Sequence, residues 1–97
     1  MSMLGINVTY MMKPGARDAF LSELAALHIR QAVLAEAGCL QYDYFRSVQE
    51  EDSLLLVEKW TDAQAQKTHL SQPHMAQVAA LKAKYVSDTR LELYQLE

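Results

Sequence analysis

The sequence predicts an α+β domain with the ferredoxin-like order β-α-β-β-α-β. In that arrangement a four-stranded antiparallel sheet carries two helices on one face. Three observations support this reading. Near both ends of the chain apolar residues alternate singly, as in half-buried strands. Two longer runs space them as a helix does. Between those runs, two strand-like segments flank a short charged stretch, as in a hairpin. With 97 residues and 11.0 kDa, the chain is expected to form a single domain over 1–97,.

The first strand places Leu4, Ile6, Val8, Tyr10 and Met12 on one face and Gly5, Asn7, Thr9 and Met11 on the other. Lys13-Pro14-Gly15 ends it, because Pro cannot continue a ladder,. A long helix follows from Ala16 to about Glu36, with Phe20, Leu24, Leu27 and Leu34 as its stripe. Gln31 is the polar interruption of that stripe, Ile29 and Val33 form a separate pair on the opposite side, and Gly38 is the stop,. Cys39 to Ser47, rich in aromatics, is the second strand, and Gln49-Glu50-Glu51-Asp52 connects it to a third over Ser53 to Trp60. The run Leu54-Leu55-Leu56-Val57 suggests a central strand buried on both faces,. Thr61 and Gln64 fit a capping box for a helix from about Asp62 to Gln72,. Pro73 then suits the first turn of a helix to about Tyr85, with Met75, Val78, Ala79, Leu81 and Val86 as its apolar side,. Thr89, Leu91 and Leu93, alternating with Arg90, Glu92 and Tyr94, give the last strand.

Two helices cover one face of such a sheet. Leu55 and Val57 fall on the face opposite Leu54 and Leu56. An uncovered apolar face of roughly several hundred Å² is a liability in a monomer. A homodimer packed through the open sheet face is therefore expected.

Charge and cysteine content exclude several function classes. The net charge is -3, and the nine Lys and Arg residues are scattered. Nucleic-acid binding needs a concentrated positive field, so it is not expected. The apolar runs are far too short for a membrane span. Cys39 is the single cysteine, so neither an internal disulfide nor a cysteine zinc site is expected,. No basic residue precedes Lys13 and no secretory cleavage pattern is present, which points to a cytoplasmic setting,.

Seven residues are candidates for a site. His69 and His74 are five apart across Pro73, with no carboxylate near either in sequence, so a metal site is not expected. A neutral imidazole titrates near working pH, which makes either histidine a candidate catalytic base. Asn7 on a central strand needs partners for its amide, from the backbone or from a wet pocket. Tyr42, Tyr44 and Trp60 are core aromatics whose O–H and N–H groups can serve as pocket donors. Glu58 is either paired with Arg46 or Arg90, or is a site carboxylate. His28 is expected on the flank of the first helix with no role.

Taken together, these segments resemble a known family. Ala37-Gly38-Cys39-Leu40-Gln41-Tyr42-Asp43 is similar to the "EGCL-x-Y" segment of the antibiotic biosynthesis monooxygenase family. Val57-Glu58-Lys59-Trp60, then His69 and Gln72-Pro73-His74-Met75, resembles that family's "E-x-W … H … T/S-x-P-H" segment. Lys13-Pro14-Gly15-Ala16 fits its opening "V … KPG". The resemblance implies a dimeric α/β-barrel with a pocket between sheet and helices in each subunit. It implies a cofactor-independent monooxygenase that oxidises a small aromatic or quinol substrate with O2 and needs no cofactor or metal. His69 or His74 would be the base, Asn7, Tyr42 or Trp60 would be donors, and Tyr44 and Glu58 would add to the substrate pocket. Haem-degrading members use a first-strand Asn, a helix Trp and a His about ten residues later. Here Asn7 fits, but His69 stands at the Trp position and Ala79 at the ligand position. For autoinducer-processing isomerases of the family, which handle a phosphate, His28, Arg30 and Lys67 are the available cations. A non-catalytic small-molecule-binding dimer is the alternative from another class.

Overall fold

The computed structural model describes residues 2–96. Its elements are β1 (Met3–Met12), α1 (Arg17–Ala26), α2 (Ile29–Leu34), β2 (Cys39–Arg46), β3 (Ser53–Trp60), α3 (Ala63–Leu70), α4 (Pro73–Tyr85) and β4 (Val86–Leu96). The sheet is antiparallel in the order β2-β3-β1-β4, as the ferredoxin-like arrangement requires. β1 and β3 are therefore the central strands.

Strand registers divide the side chains cleanly. Tyr44, Leu56, Val8 and Leu91 form one cross-sheet row on the helix-bearing face, and Tyr42, Glu58, Ile6 and Leu93 form the next, with Leu91 and Leu93 exposed on the edge strand. Phe45, Leu55, Thr9 and Arg90 form a row on the opposite face, beside Asp43, Val57, Asn7 and Glu92. β3 is buried on alternate residues, with Leu54, Leu56, Glu58 and Trp60 inside. The expectation that β3 is buried on both faces holds for one face only. Leu55 and Val57 are half-buried because helices cover just the other side.

The predicted single helix is broken into two. His28 sits at φ 55°, the left-handed region that L-residues enter at a cost,. The break turns α2 relative to α1, so the stripe extrapolated across it goes out of phase. Phe20 and Leu24 are buried as expected, but Leu27 and Leu34 are exposed, and Ile29 and Val33 fill the core instead. Phe20 packs edge-on against both Tyr10 and Tyr85, at 5.7 and 6.3 Å between ring centroids,.

Three smaller differences have local causes. The N-cap of α3 is Asp62, whose Oδ1 accepts from Ala65 N–H at 2.8 Å, one residue after the Thr61 that the capping pattern suggested,. β4 starts at Val86, directly after α4, where no loop intervenes. The β2–β3 connection lacks a strong turn sequence and is held from outside. Arg17 Nη1 donates to the carbonyls of Ser47, Glu50 and Ser53 at 3.1, 3.2 and 3.1 Å.

Candidate active site

A cavity of about 330 Å³ lies between the sheet and helices α3 and α4. Its walls are mainly apolar, with Ile6, Val8, Met75, Val78, Leu91 and Leu93 among them. The polar side chains that reach it include Tyr10, Tyr42, Glu58, His69 and Lys82. An apolar chamber with a few converging polar groups is the usual form of a small-molecule site.

His69 is the most constrained of these groups. It lies in the last turn of α3 and is only 1% exposed. Its ring packs on Trp60 at 4.7 Å between centroids and meets Tyr42 edge-on at 5.8 Å. Its Nδ1 is 2.9 Å from Oε2 of Glu36. Nε2 of His74 is 2.7 Å from the same oxygen. A carboxylate oxygen can only accept, so both imidazoles donate to it. That assigns the proton of neutral His69 to Nδ1 and leaves the Nε2 lone pair free on a ring that lines the cavity.

The fold brings this trio together from three separate turns. Glu36 follows α2 in a tight turn where its N–H donates to Val33 O and its carbonyl accepts from Cys39 N–H. Gly38, at φ 86°, lets the turn sit against α3, since a Cβ there would lie 2.6 Å from Ala65 Cβ and 2.7 Å from Thr61 Oγ1,. Pro73 opens α4 as its first residue, which places His74 one position later, facing Glu36. The five-residue spacing across Pro73 thus brings the two histidines to one oxygen. Sequence reasoning missed Glu36, which lies 33 and 38 residues from its partners.

Glu58 is buried on β3 and faces the cavity. Trp60 Nε1–H donates to its Oε1 at 3.0 Å. Neither predicted arginine pairs with it. Arg46 bonds Asp18, and Arg90 lies beside Asp88. Burial holds the Glu58 carboxyl above the ordinary carboxylate range, partly opposed by the Trp60 hydrogen bond and by His69,. Burial likewise raises the phenols of Tyr10 and Tyr42, and pushes Tyr44 up to about 12, so all three remain protonated donors.

Residues 3–81 match the family described as antibiotic biosynthesis monooxygenase. The chain belongs to this family. It is 35% identical over 97 residues to "Putative monooxygenase YcnE" of Bacillus subtilis (strain 168), which covers 98% of this chain and 97% of that one. Among solved structures, it is similar to PA3566 from Pseudomonas aeruginosa, with TM-score 0.87 and 25% identity over 100% of this chain and 96% of that chain. It is also similar to a Bacteroides thetaiotaomicron protein of unknown function described as a possible oxidoreductase, with TM-score 0.84, 26% identity and 98% of both chains covered.

Against this family background, the remaining sequence candidates divide. Tyr42 lines the cavity, and Trp60 reaches it through Glu58 and His69. Tyr44 adjoins a separate cavity with Arg30, and its ring meets Tyr42 edge-on at 5.8 Å. Asn7 lies on the opposite sheet face, where its Oδ1 accepts from Tyr94 O–H at 3.0 Å. The ring of Tyr94 lies across Gly5, where any Cβ would collide with it. Asn7 thus has the structural partner that a polar strand residue needs. At the position where haem-degrading antibiotic biosynthesis monooxygenase relatives carry a ligand, Ala79 presents a methyl group to the cavity wall. His28, Arg30 and Lys67 are exposed and outside the lining, so the phosphate-handling pattern finds none of its expected cations there. Among the described residues, no helix is long and apolar enough to cross a membrane.

Proposed function

We propose that the protein is a cofactor-independent monooxygenase of a small phenol or quinol, with His69 as the base. The observation that carries this reading is the His69 ring, fixed through Nδ1 by Glu36 and lining an apolar cavity with Nε2 free.

The chemistry needs little from a small fold. His69 Nε2 takes the hydroxyl proton of the substrate. The imidazolium that forms lies beside Glu36 and at the carbonyl end of α3, both of which favour positive charge,. The electron-rich phenolate then passes an electron to O2, and the radical pair joins as a peroxide anion on a ring carbon. His69 returns its proton to give the hydroperoxide. The hydrogen on that ring carbon then leaves as a proton, the O–O bond breaks, and the departing hydroxide and that proton form water as the carbonyl forms. For a naphthol the balance is C10H8O + O2 → C10H6O2 + H2O. The substrate loses four electrons and O2 gains them. Tyr10 and Tyr42 supply donors for the developing oxyanion,. His74 positions Glu36.

The working unit of this reading is a homodimer in the cytoplasm. Phe45, Leu55 and Val57 on the open sheet face support the dimer, and the unpaired thiol of Cys39 suits a reducing compartment,. Protein stripped of metal and flavin, mixed with a panel of naphthols and quinols, should consume O2 and form quinone. Absence of uptake across the panel, together with retained ligand binding, would instead favour a binding protein.

A further inference from the structure

We propose that Glu36, His69 and His74 form a binding site for a divalent first-row cation of the zinc type. Their ligating atoms all lie within 4.8 Å of one another. Two imidazole N–H bonds converge on the single oxygen Oε2 of Glu36, at 2.9 and 2.7 Å. A cation can take the place of those two protons, each of which moves to the other nitrogen of its own ring,. Tetrahedral zinc holds nitrogen and oxygen ligands at about 2.0–2.2 Å, which sets neighbouring ligands about 3.3 Å apart. Each nitrogen–oxygen pair must therefore open by roughly half an ångström, and the two nitrogens, within 4.8 Å of each other, must settle at about 3.3 Å, through small rotations of the Glu36 and His74 side chains,. Two imidazoles and one carboxylate make a donor set suited to zinc and its neighbours rather than to magnesium or calcium.

Two further features support a ligand here. Among the described residues, the only ion pairs of Glu36 are with the two histidines, so no lysine or arginine competes for its charge. Glu36 and His74 also line a second cavity, of about 360 Å³, with Ala32, Ala65, Thr68 and Gln72. This cavity is separate from the apolar chamber on the far side of His69. It offers an entry path and room for a water as fourth ligand.

Binding does not depend on the oxygenase reading, but one consequence does. A cation on Nδ1 of His69 forces the remaining proton onto Nε2, and the base is silenced.

Chelator-treated protein titrated with zinc sulfate by calorimetry should take up one zinc per chain. Glu36→Gln and His74→Ala should each weaken binding at least tenfold while circular dichroism shows an intact fold. His28→Ala should leave it unchanged. No saturable uptake, uptake unaffected by both site variants, or uptake lost in His28→Ala would overturn the site. Zinc binding without any O2 consumption would leave the site standing and count against the oxygenase reading alone. Undiminished O2 consumption at saturating zinc would overturn the silencing.

Discussion

His69 combines near-complete burial with one bonded and one unbonded ring nitrogen, and two consequences at the residue scale follow from its surroundings. His69→Ala should lower kcat by about 10²- to 10⁴-fold, the usual contribution of a positioned base, with substrate affinity largely retained. Glu36→Gln keeps the shape but loses the charge beside the imidazolium. It should reduce kcat by less than His69→Ala, leave KM nearly unchanged and alter the pH profile of kcat. Steady-state O2 uptake across pH measures both. Glu58 gives a stability prediction of opposite sense to most carboxylates. Its folded pKa is raised, mainly by burial, so the folded state binds the proton more tightly than the unfolded chain does. The stability contributed by the protonated form is full below the ordinary carboxylate range and is lost as pH rises through the raised value. Glu58→Gln preserves an oxygen for Trp60 and should raise Tm at neutral pH, with little change near pH ~4. Equal shifts at both pH values would contradict the assignment. At this scale the sequence singled out His69, Tyr42 and Glu58 by residue type, and the fold brings all three to one cavity. It could not identify Glu36, since no local pattern links residues so far apart. Nor did alternation along β1 reveal which of its two faces the helices cover, and so which side Asn7 would occupy.

The break between α1 and α2 turns on His28, and the cap of α3 turns on Asp62; each can be tested as a unit. His28→Gly relieves a left-handed residue and should stabilise the fold by about 1 kcal/mol, whereas His28→Val should destabilise it,. Asp62→Ala removes the acceptor for Ala65 N–H and should cost about 1 kcal/mol in chemical denaturation,. Strands were the more legible elements. Residue alternation located β1 nearly to the residue, because period two survives wherever one face is covered, and the apolar run Leu54–Val57 located β3 while hiding its alternation,. Helix phase was less legible. A stripe drawn from Phe20 to Leu34 assumes an unbroken helix, and no Gly, Pro or Asn marks the break at His28. The hairpin was found from its flanking strands alone, since Arg17, some thirty residues earlier, secures its loop.

For the whole molecule, the uncovered sheet face is where the proposed homodimer would pack. The row of Phe45, Leu55 and Thr9 beside Val57 and Asn7 is bordered by Asp43, Lys59, Arg90 and Glu92, an apolar band with a charged rim. Interfaces commonly have this layout. Light scattering should report twice the chain mass at micromolar concentration. Leu55→Glu should reduce it to the chain mass while circular dichroism remains native. A wild-type protein of single-chain mass would remove the dimer from the proposal. The strand order β2-β3-β1-β4 has a further consequence, for how the chain folds. β1 comes first in sequence yet sits between two strands that come later, with Leu4 opposite Trp60 and Met3 opposite Leu96. Its pairing with β3 closes a long loop, and its pairing with β4 closes almost the whole described chain. Contacts of such separation slow folding. During synthesis β1 would keep one edge unpaired until Val86 to Leu96 emerges, and the apolar chamber, walled in part by Leu91 and Leu93, would be the last part of the fold to close.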